Sequence, residues 1–244
     1  MRILISGIGG RMGRALCELA GDEVVGGVDI RPDDVPAGIP CAADFAGAVT
    51  DVDVVIDFSH HTNTDRLLTF AAAHGLPLVL ATTGQTEDER AAIRSASRKI
   101  PLFFAANYSL GIVLLTEWAK AAASVLPDAE IEIVEVHHDR KLDAPSGTAL
   151  ALAEAIREVR PGAEIVAGRS GTGKRTPTEI GIHSLRMGNV VGQHEVIVAT
   201  PYQTITLKHE AHSRALFAEG ALAAARFLIG KPAGLYDMKS LISR

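Results

Sequence analysis

His137, His138 and Lys141 fall within five residues of one another, and Ser146-Gly147-Thr148 follows close behind. Imidazole titrates near neutral pH, so His137 or His138 can deliver a proton there. Lys141 adds a fixed positive charge or a second proton. The segment begins at the end of an alternating strand, crosses a turn and enters a helix at Gly147-Thr148. Backbone amides at a helix start favour anions, so Gly147 and Thr148 can grip a carboxylate. Beside a hydride donor, such a pocket suits reduction of a C=N or C=C bond in a carboxylated substrate. A plainer role for Ser146 or Thr148, capping the helix, is compatible with this chemistry. No metal is expected at His137, His138 and Asp139, because adjacent strand residues point to opposite faces.

The second chemical signal is Gly7-Ile8-Gly9-Gly10-Arg11-Met12-Gly13. It departs from GxGxxG by one residue, its last glycine standing at Gly13, which gives GxGxxxG. The physical demand is the same: small residues let the backbone approach a pyrophosphate, and the helix that follows offers its N-terminal amides. A bare glycine turn explains the motif alone, but its context favours a dinucleotide. The motif joins a strand to a helix, and Asp29 follows the next strand 22 positions after Gly7. An acid there suits the adenosine ribose hydroxyls and repels a 2′-phosphate, which favours NADH. Arg31 offsets that repulsion, so NADH or NADPH is expected, NADH slightly ahead.

Alternating strands and helices must position these groups. Strands are expected at Arg2–Ser6, Glu23–Val28, Asp53–Phe58, Pro77–Ala81 and Pro101–Ala106. Helices fall between them, after Arg11, over Thr62–His74 and over Glu87–Arg98. The continuous apolar runs suit a parallel sheet buried on both faces. Beyond Tyr108 a helix over Ile112–Leu126 precedes an alternating strand, Glu130–His138. Gly168–Thr178 reads as a loop, and Gly181–Arg186, His194–Ala199 and Thr204–His209 as strands of an antiparallel or mixed sheet. Ser213 is expected to cap a final helix running to Leu228. The organisation is a dinucleotide-binding domain, 1–107 with 215–244, interrupted by a substrate-binding and oligomerisation domain, 108–214. The fold class is α/β, a Rossmann-type domain with an inserted α+β domain on a mixed sheet.

Composition narrows the classes. The chain has 244 residues, 47% of them hydrophobic, and 24 basic against 29 acidic side chains. A net charge of −5 argues against nucleic-acid binding by bulk charge. Two cysteines, Cys17 and Cys41, make no disulfide framework. Neither a membrane-length apolar run nor signal-peptide anatomy is seen, so a cytoplasmic location without membrane partners is expected. Gly168–Lys174 imitates a phosphate loop but is followed by Arg175 instead of Ser or Thr. His209-Glu210-Ala211-His212 lacks the HExxH spacing, and His60-His61 reads as a turn near the cofactor or in solvent.

The block EVHHDRKLDAPSGTA, from Glu135 to Ala149, closely resembles the signature of the 4-hydroxy-tetrahydrodipicolinate (dihydrodipicolinate) reductases of bacterial and plant lysine synthesis. The resemblance extends over nearly the whole chain, through GIGGRMG, DVVIDFS, ATTG, AANYS, RMGNVVGQHEV and GLYDM. It implies that Gly7, Ile8, Gly9, Gly10, Arg11 and Met12 cradle the pyrophosphate and Asp29 holds the ribose. Ala81, Thr82 and Thr83, with Ala105, Ala106, Asn107 and Tyr108, would line the nicotinamide half. By the same resemblance His137 is the proton donor and Lys141 the second catalytic donor, while His138, Gly147 and Thr148 hold the substrate carboxylate. The implied substrate is a small cyclic dicarboxylate, and the implied assembly a homotetramer built through the inserted sheet. Ala81 replaces a common glycine and Tyr108 a common phenylalanine, which bears on cofactor fit. An aspartate-type amino-acid dehydrogenase and a non-catalytic dinucleotide sensor are the rival readings. Neither gives the full His-Lys-Ser-Gly-Thr block a role.

Overall fold

Short runs of Val, Ile and Leu closed by glycine or polar residues form the strands, and the amphipathic stretches between them form the helices. The structure, a computed structural model, describes residues 1–243. Its first elements are β1 (Ile3–Ser6), α1 (Arg11–Ala20), β2 (Val24–Val28), β3 (Cys41–Ala42), β4 (Val54–Asp57), α2 (Thr64–His74), β5 (Leu78–Leu80), α3 (Glu87–Ala96) and β6 (Pro101–Phe104). Next come α4 (Leu110–Val125), β7 (Glu130–His137), α5 (Gly147–Val159), β8 (Glu164–Ala167), β9 (Glu179–Arg186), β10 (Gly192–Thr200) and β11 (Gln203–Ala211). The last are α6 (Ala215–Leu228), β12 (Gly234–Tyr236) and α7 (Met238–Ile242).

Two compact units result, 1–109 with 214–244, and 110–213. In the first, seven parallel strands are ordered β12-β6-β5-β4-β1-β2-β3. The chain leaves β1 for β2 on one side and returns to β4 on the other, so the sheet changes winding direction beside β1. Open α/β sheets bind ligands at such a point, beyond the carboxyl ends of the strands. Each residue of β1 and β4 is buried, as a strand covered on both faces requires. A capping box starts α3: Thr86 Oγ1 accepts from the Glu89 amide, while Glu89 returns a carboxylate to the Thr86 N–H.

In the second unit the order is β11-β10-β7-β9-β8, with β7 and β9 parallel, β8 and β9 parallel, and β10 antiparallel to both of its neighbours. Ile131, Ile133, Ile180, Ile182, Val196 and Val198 build its core with residues from α4 and α5. The strict alternation of β7 and β10 places these on one face. Arg160 closes the C-terminal end of α4, its guanidinium donating to the carbonyls of Ala123, Leu126 and Ala129.

The expected strands and helices appear with ends shifted by at most two residues. One local reading is corrected: the residue at the N-cap of α6 is Arg214, not Ser213, and no side-chain hydrogen bond caps it. Four short elements, β3, β8, β12 and α7, carry no periodicity long enough to mark them in the sequence.

Candidate active site

In the second unit the face of the sheet that packs on the helices turns from apolar to polar along its length. Strand register aligns Ile131, Ile133, Glu135 and His137 on β7 with Ile180, Ile182, Ser184 and Arg186 on β9. On the other side, Val198, Val196 and His194 of β10 pair with Ile131, Ile133 and Glu135. Three strands thus deliver a carboxylate, a guanidinium and two imidazoles to one end of a hydrophobic face.

Glu135 is fully buried, and its neighbours satisfy it. Oε1 accepts from Arg186 Nη2 at 2.7 Å and from the Ser146 N–H at 3.1 Å. Oε2 accepts from Arg186 Nη1 at 2.9 Å and meets His137 Nδ1 at 2.5 Å. Burial pushes this carboxyl upward, but hydrogen bonds from Arg186, Ser184, His137 and Ser146 outweigh it and hold it at about 2. An ionised carboxylate only accepts, so His137 Nδ1 carries the hydrogen and Nε2 is the nitrogen left for chemistry. A Cβ on Gly192 would stand 3.1 Å from that Nε2. Burial holds His137 below the ordinary histidine range, with Glu135 acting in the opposite direction.

Ser146 is the N-cap of α5, its Oγ accepting from the Ala149 N–H. Its hydroxyl stands 3.1 Å from His194 Nε2, and the ring of His194 lies edge-on to His137 with centroids 5.2 Å apart. Oγ and Nε2 are hydrogen-bonded, the ring's tautomer setting which of them donates. Burial foremost, then the nearby His137, lowers His194 to about 4. Lys141 Nζ reaches Asp143 Oδ1 at 2.8 Å, and the Lys141 N–H donates to the His138 carbonyl, closing the turn after β7. His138 Nδ1 is buried without a hydrogen-bond partner among the described residues. Gly147 is exposed and Thr148 half-buried in the first turn of α5. His137, His138, Lys141, Gly147 and Thr148 therefore belong to one segment, from the end of β7 to the start of α5.

The glycine loop lies in the first unit at the carboxyl end of β1. Gly7 has φ +79°, and a Cβ there would come 2.8 Å from the Ser59 Cα. A Cβ on Gly13 would lie 2.3 Å from the Gly7 carbonyl oxygen, so helix and loop touch through it. Gly10 is the N-cap of α1 and caps nothing with a side chain, which leaves amides of the first turn for an anion. Asp29 ends β2's approach to the loop, taking the Gly9 N–H on Oδ2 and the Arg31 N–H on Oδ1. Gly7, Gly10, Asp29 and Arg31 line a cleft of about 1390 Å³ that continues past His60 and Arg66. That cradle, closed to a Cβ at Gly7, Gly9 and Gly13 and bordered by an acid, fits a dinucleotide.

Other expected residues are placed differently from a simple lining. Ile8 is fully buried, its side chain packed on Gly27, so only its backbone is available to a ligand. Arg11 is exposed and Met12 half-buried on α1. Thr82 is buried, and its hydroxyl donates to Asp57 at 2.6 Å. Tyr108 is buried with its hydroxyl on the Leu80 carbonyl, while Thr83 and Ala106 are exposed and Ala105 and Asn107 half-buried. Ala81, Thr82 and Thr83 follow β5, and Ala105 to Tyr108 follow β6, at the carboxyl edge of the same sheet. His60 lines the cleft, whereas His61 pairs with Glu89.

Sequence reasoning missed Glu135, Arg186 and His194. Glu135 carried a legible sign: it occupies the buried phase of EIEIVEVH, shared with Ile131 and Ile133. Arg186 and His194 reach it through strand register alone, from positions 51 and 59 residues further along the chain.

Comparison with known proteins bears on both units. Residues 1–108 match the family model "Dihydrodipicolinate reductase, N-terminus", and residues 111–242 match "Dihydrodipicolinate reductase, C-terminus". The chain is 46% identical over 250 residues to the 4-hydroxy-tetrahydrodipicolinate reductase of Caldanaerobacter subterraneus subsp. tengcongensis, covering 100% of this chain and 99% of the relative. Against the enzyme of that name from Gluconobacter oxydans the identity is 43% over 244 residues, covering 100% and 97%. Among solved structures, the dipicolinate-bound dihydrodipicolinate reductase from Paenisporosarcina sp. TG-14 superposes with a TM-score of 0.81 at 24% identity, over 97% of each chain. The aspartate dehydrogenase of Thermotoga maritima shares the fold at a TM-score of 0.55 and 16% identity, over 95% of this chain and 98% of that one. With both units matched and close relatives aligned along its whole length, the chain belongs to the dihydrodipicolinate reductase family.

Proposed function

We propose that the chain reduces 4-hydroxy-tetrahydrodipicolinate to tetrahydrodipicolinate with NADH or NADPH, releasing water, in lysine (diaminopimelate) synthesis. The observation that carries this reading is one segment holding two imidazoles, a lysine and the N-terminal turn of α5. Over the whole reaction the ring gains one hydride and one proton and loses its hydroxyl as water, so the site has to donate one proton net. When bound, the reduced nicotinamide supplies the hydride. His137 Nε2–H gives the proton, its other nitrogen being engaged by Glu135. Lys141 Nζ, resting on Asp143, moves to the substrate as the second donor and neutralises charge on it. His138 and the amides of Gly147 and Thr148 hold a carboxylate, favoured by the N-terminal end of α5.

The first unit binds the dinucleotide. Gly7 to Met12 present backbone to the pyrophosphate, and Asp29 keeps lone pairs for the ribose hydroxyls, which favours NADH slightly. Ala81 to Thr83 and Ala105 to Tyr108 border the nicotinamide end, Thr82 and Tyr108 through backbone because their hydroxyls are engaged. The second unit binds the dicarboxylate and, through its sheet, assembles a homotetramer in the cytoplasm. No helix among the described residues is long and apolar enough to cross a membrane.

The test is NADH and NADPH oxidation on substrate made in place from pyruvate and aspartate semialdehyde by a synthase. Synthase-dependent oxidation is expected with both cofactors, faster with NADH. His137→Ala and Lys141→Ala should each lower kcat/KM by about 10² to 10⁴ while NADH affinity is kept. Cofactor binding without oxidation would defeat the assignment.

A further inference from the structure

We propose that Glu135 is a positioning residue for this reaction: its buried carboxylate holds His137 by Nδ1–H, directs Nε2 to the substrate, and ties that proton to the anion-binding start of α5. The inference rests on the assignment of His137 as proton donor. It goes further by naming the group that sets the donor's tautomer, orientation and charge.

The geometry supports a role beyond packing. One carboxylate is shared between the two functions of the site, Oε2 serving His137 and Oε1 the Ser146 N–H, the residue that caps α5. Arg186 grips both oxygens from β9, keeping the carboxylate ionised inside a hydrophobic face. Any displacement of Glu135 therefore moves the donor and the anion cradle together.

The groups facing His137 come from several elements. Glu135 lies on its own strand, Arg186 on β9 and His194 on β10, with Lys141 and Asp143 in the turn before α5. Arg186, Lys141 and burial all disfavour the imidazolium, and Glu135 is the charge that acts against them. Without it His137 would surrender its proton at lower pH and rotate freely. His194 does not compete for the proton, since its Nε2 is already engaged with the Ser146 hydroxyl.

Glu135→Gln keeps an acceptor for Nδ1–H but removes the charge. In the synthase-coupled assay, the alkaline limb of the kcat/KM profile is expected to move down by about one pH unit or more. The rate at pH 8 then falls about tenfold and recovers as the pH is lowered. A rate reduced evenly at every pH, with the limb unmoved, would assign Glu135 a purely structural role and overturn the proposal. His137→Gln, run in parallel, separates the two claims: full activity there removes the donor assignment itself, whatever Glu135→Gln does. Should Glu135→Gln fail to fold, histidine-selective ¹⁵N NMR on the unaltered protein decides. His137 protonated at Nδ1 in its neutral form is expected, and a neutral Nε2–H tautomer would overturn the proposal.

Discussion

His194 and Glu135 are both buried in the second unit and displaced in ways that set their charge, Glu135 toward the ionised carboxylate and His194 toward the neutral imidazole. For His194 the folded value, about 4, lies below the ordinary 6.5. Between these values the unfolded chain takes up a proton that the folded chain refuses. The stabilisation is thus complete above pH 6.5 and disappears as the pH falls toward 4, amounting to something on the order of 3 kcal/mol. Urea unfolding followed from pH 7.5 to 4.5 should show that loss, and His194→Gln should flatten it by roughly one proton's worth of slope. An unchanged slope would count against a neutral, buried His194. At this scale legibility followed distance along the chain. His137, His138 and Lys141 announced themselves because they are neighbours. The groups that condition them, Arg186 and His194, lie far off and become neighbours only when the strands pair.

Elements were legible where they were long enough to show a period. The strands of β7, β10 and β11 alternate over eight or nine residues, and α4 to α6 each carry at least three turns. A strand of two residues such as β3, or three such as β12, owes its existence to an edge already formed beside it. The same dependence on neighbours shows at the end of α4. Arg160, the residue after α5, donates to three carbonyls, Ala123 in the last turn of α4 and Leu126 and Ala129 in the chain entering β7. Arg160→Met is expected to cost about 2–4 kcal/mol of unfolding free energy, measured by urea denaturation. Arg160→Lys should recover little of it, because an ammonium lacks the planar fork that spans three acceptors.

For the molecule as a whole, the governing fact is that the first unit is made of two stretches of chain, 1–109 and 214–244. α6 belongs to the second stretch, yet it packs on α1 and on β4, β5 and β6 of the first. Ala218, Ala221, Ala224, Ala225 and Leu228 are each fully buried there, and Gly220 admits the Tyr108 carbonyl where a Cβ would stand 1.7 Å away. Truncation after Ser213 should therefore abolish the cooperative thermal transition of the first unit and its dinucleotide binding, read by calorimetry and by NADH fluorescence. Binding retained by the truncated chain would show that α6 is dispensable. The interrupted layout also orders events on the ribosome, where domains tend to fold as they emerge. Residues 110–213 are complete as soon as they leave the exit tunnel, while the sheet begun at Ile3 waits for Ala215–Leu228. The half translated first is finished last, and a nascent-chain chaperone would find its exposed apolar strands throughout that interval.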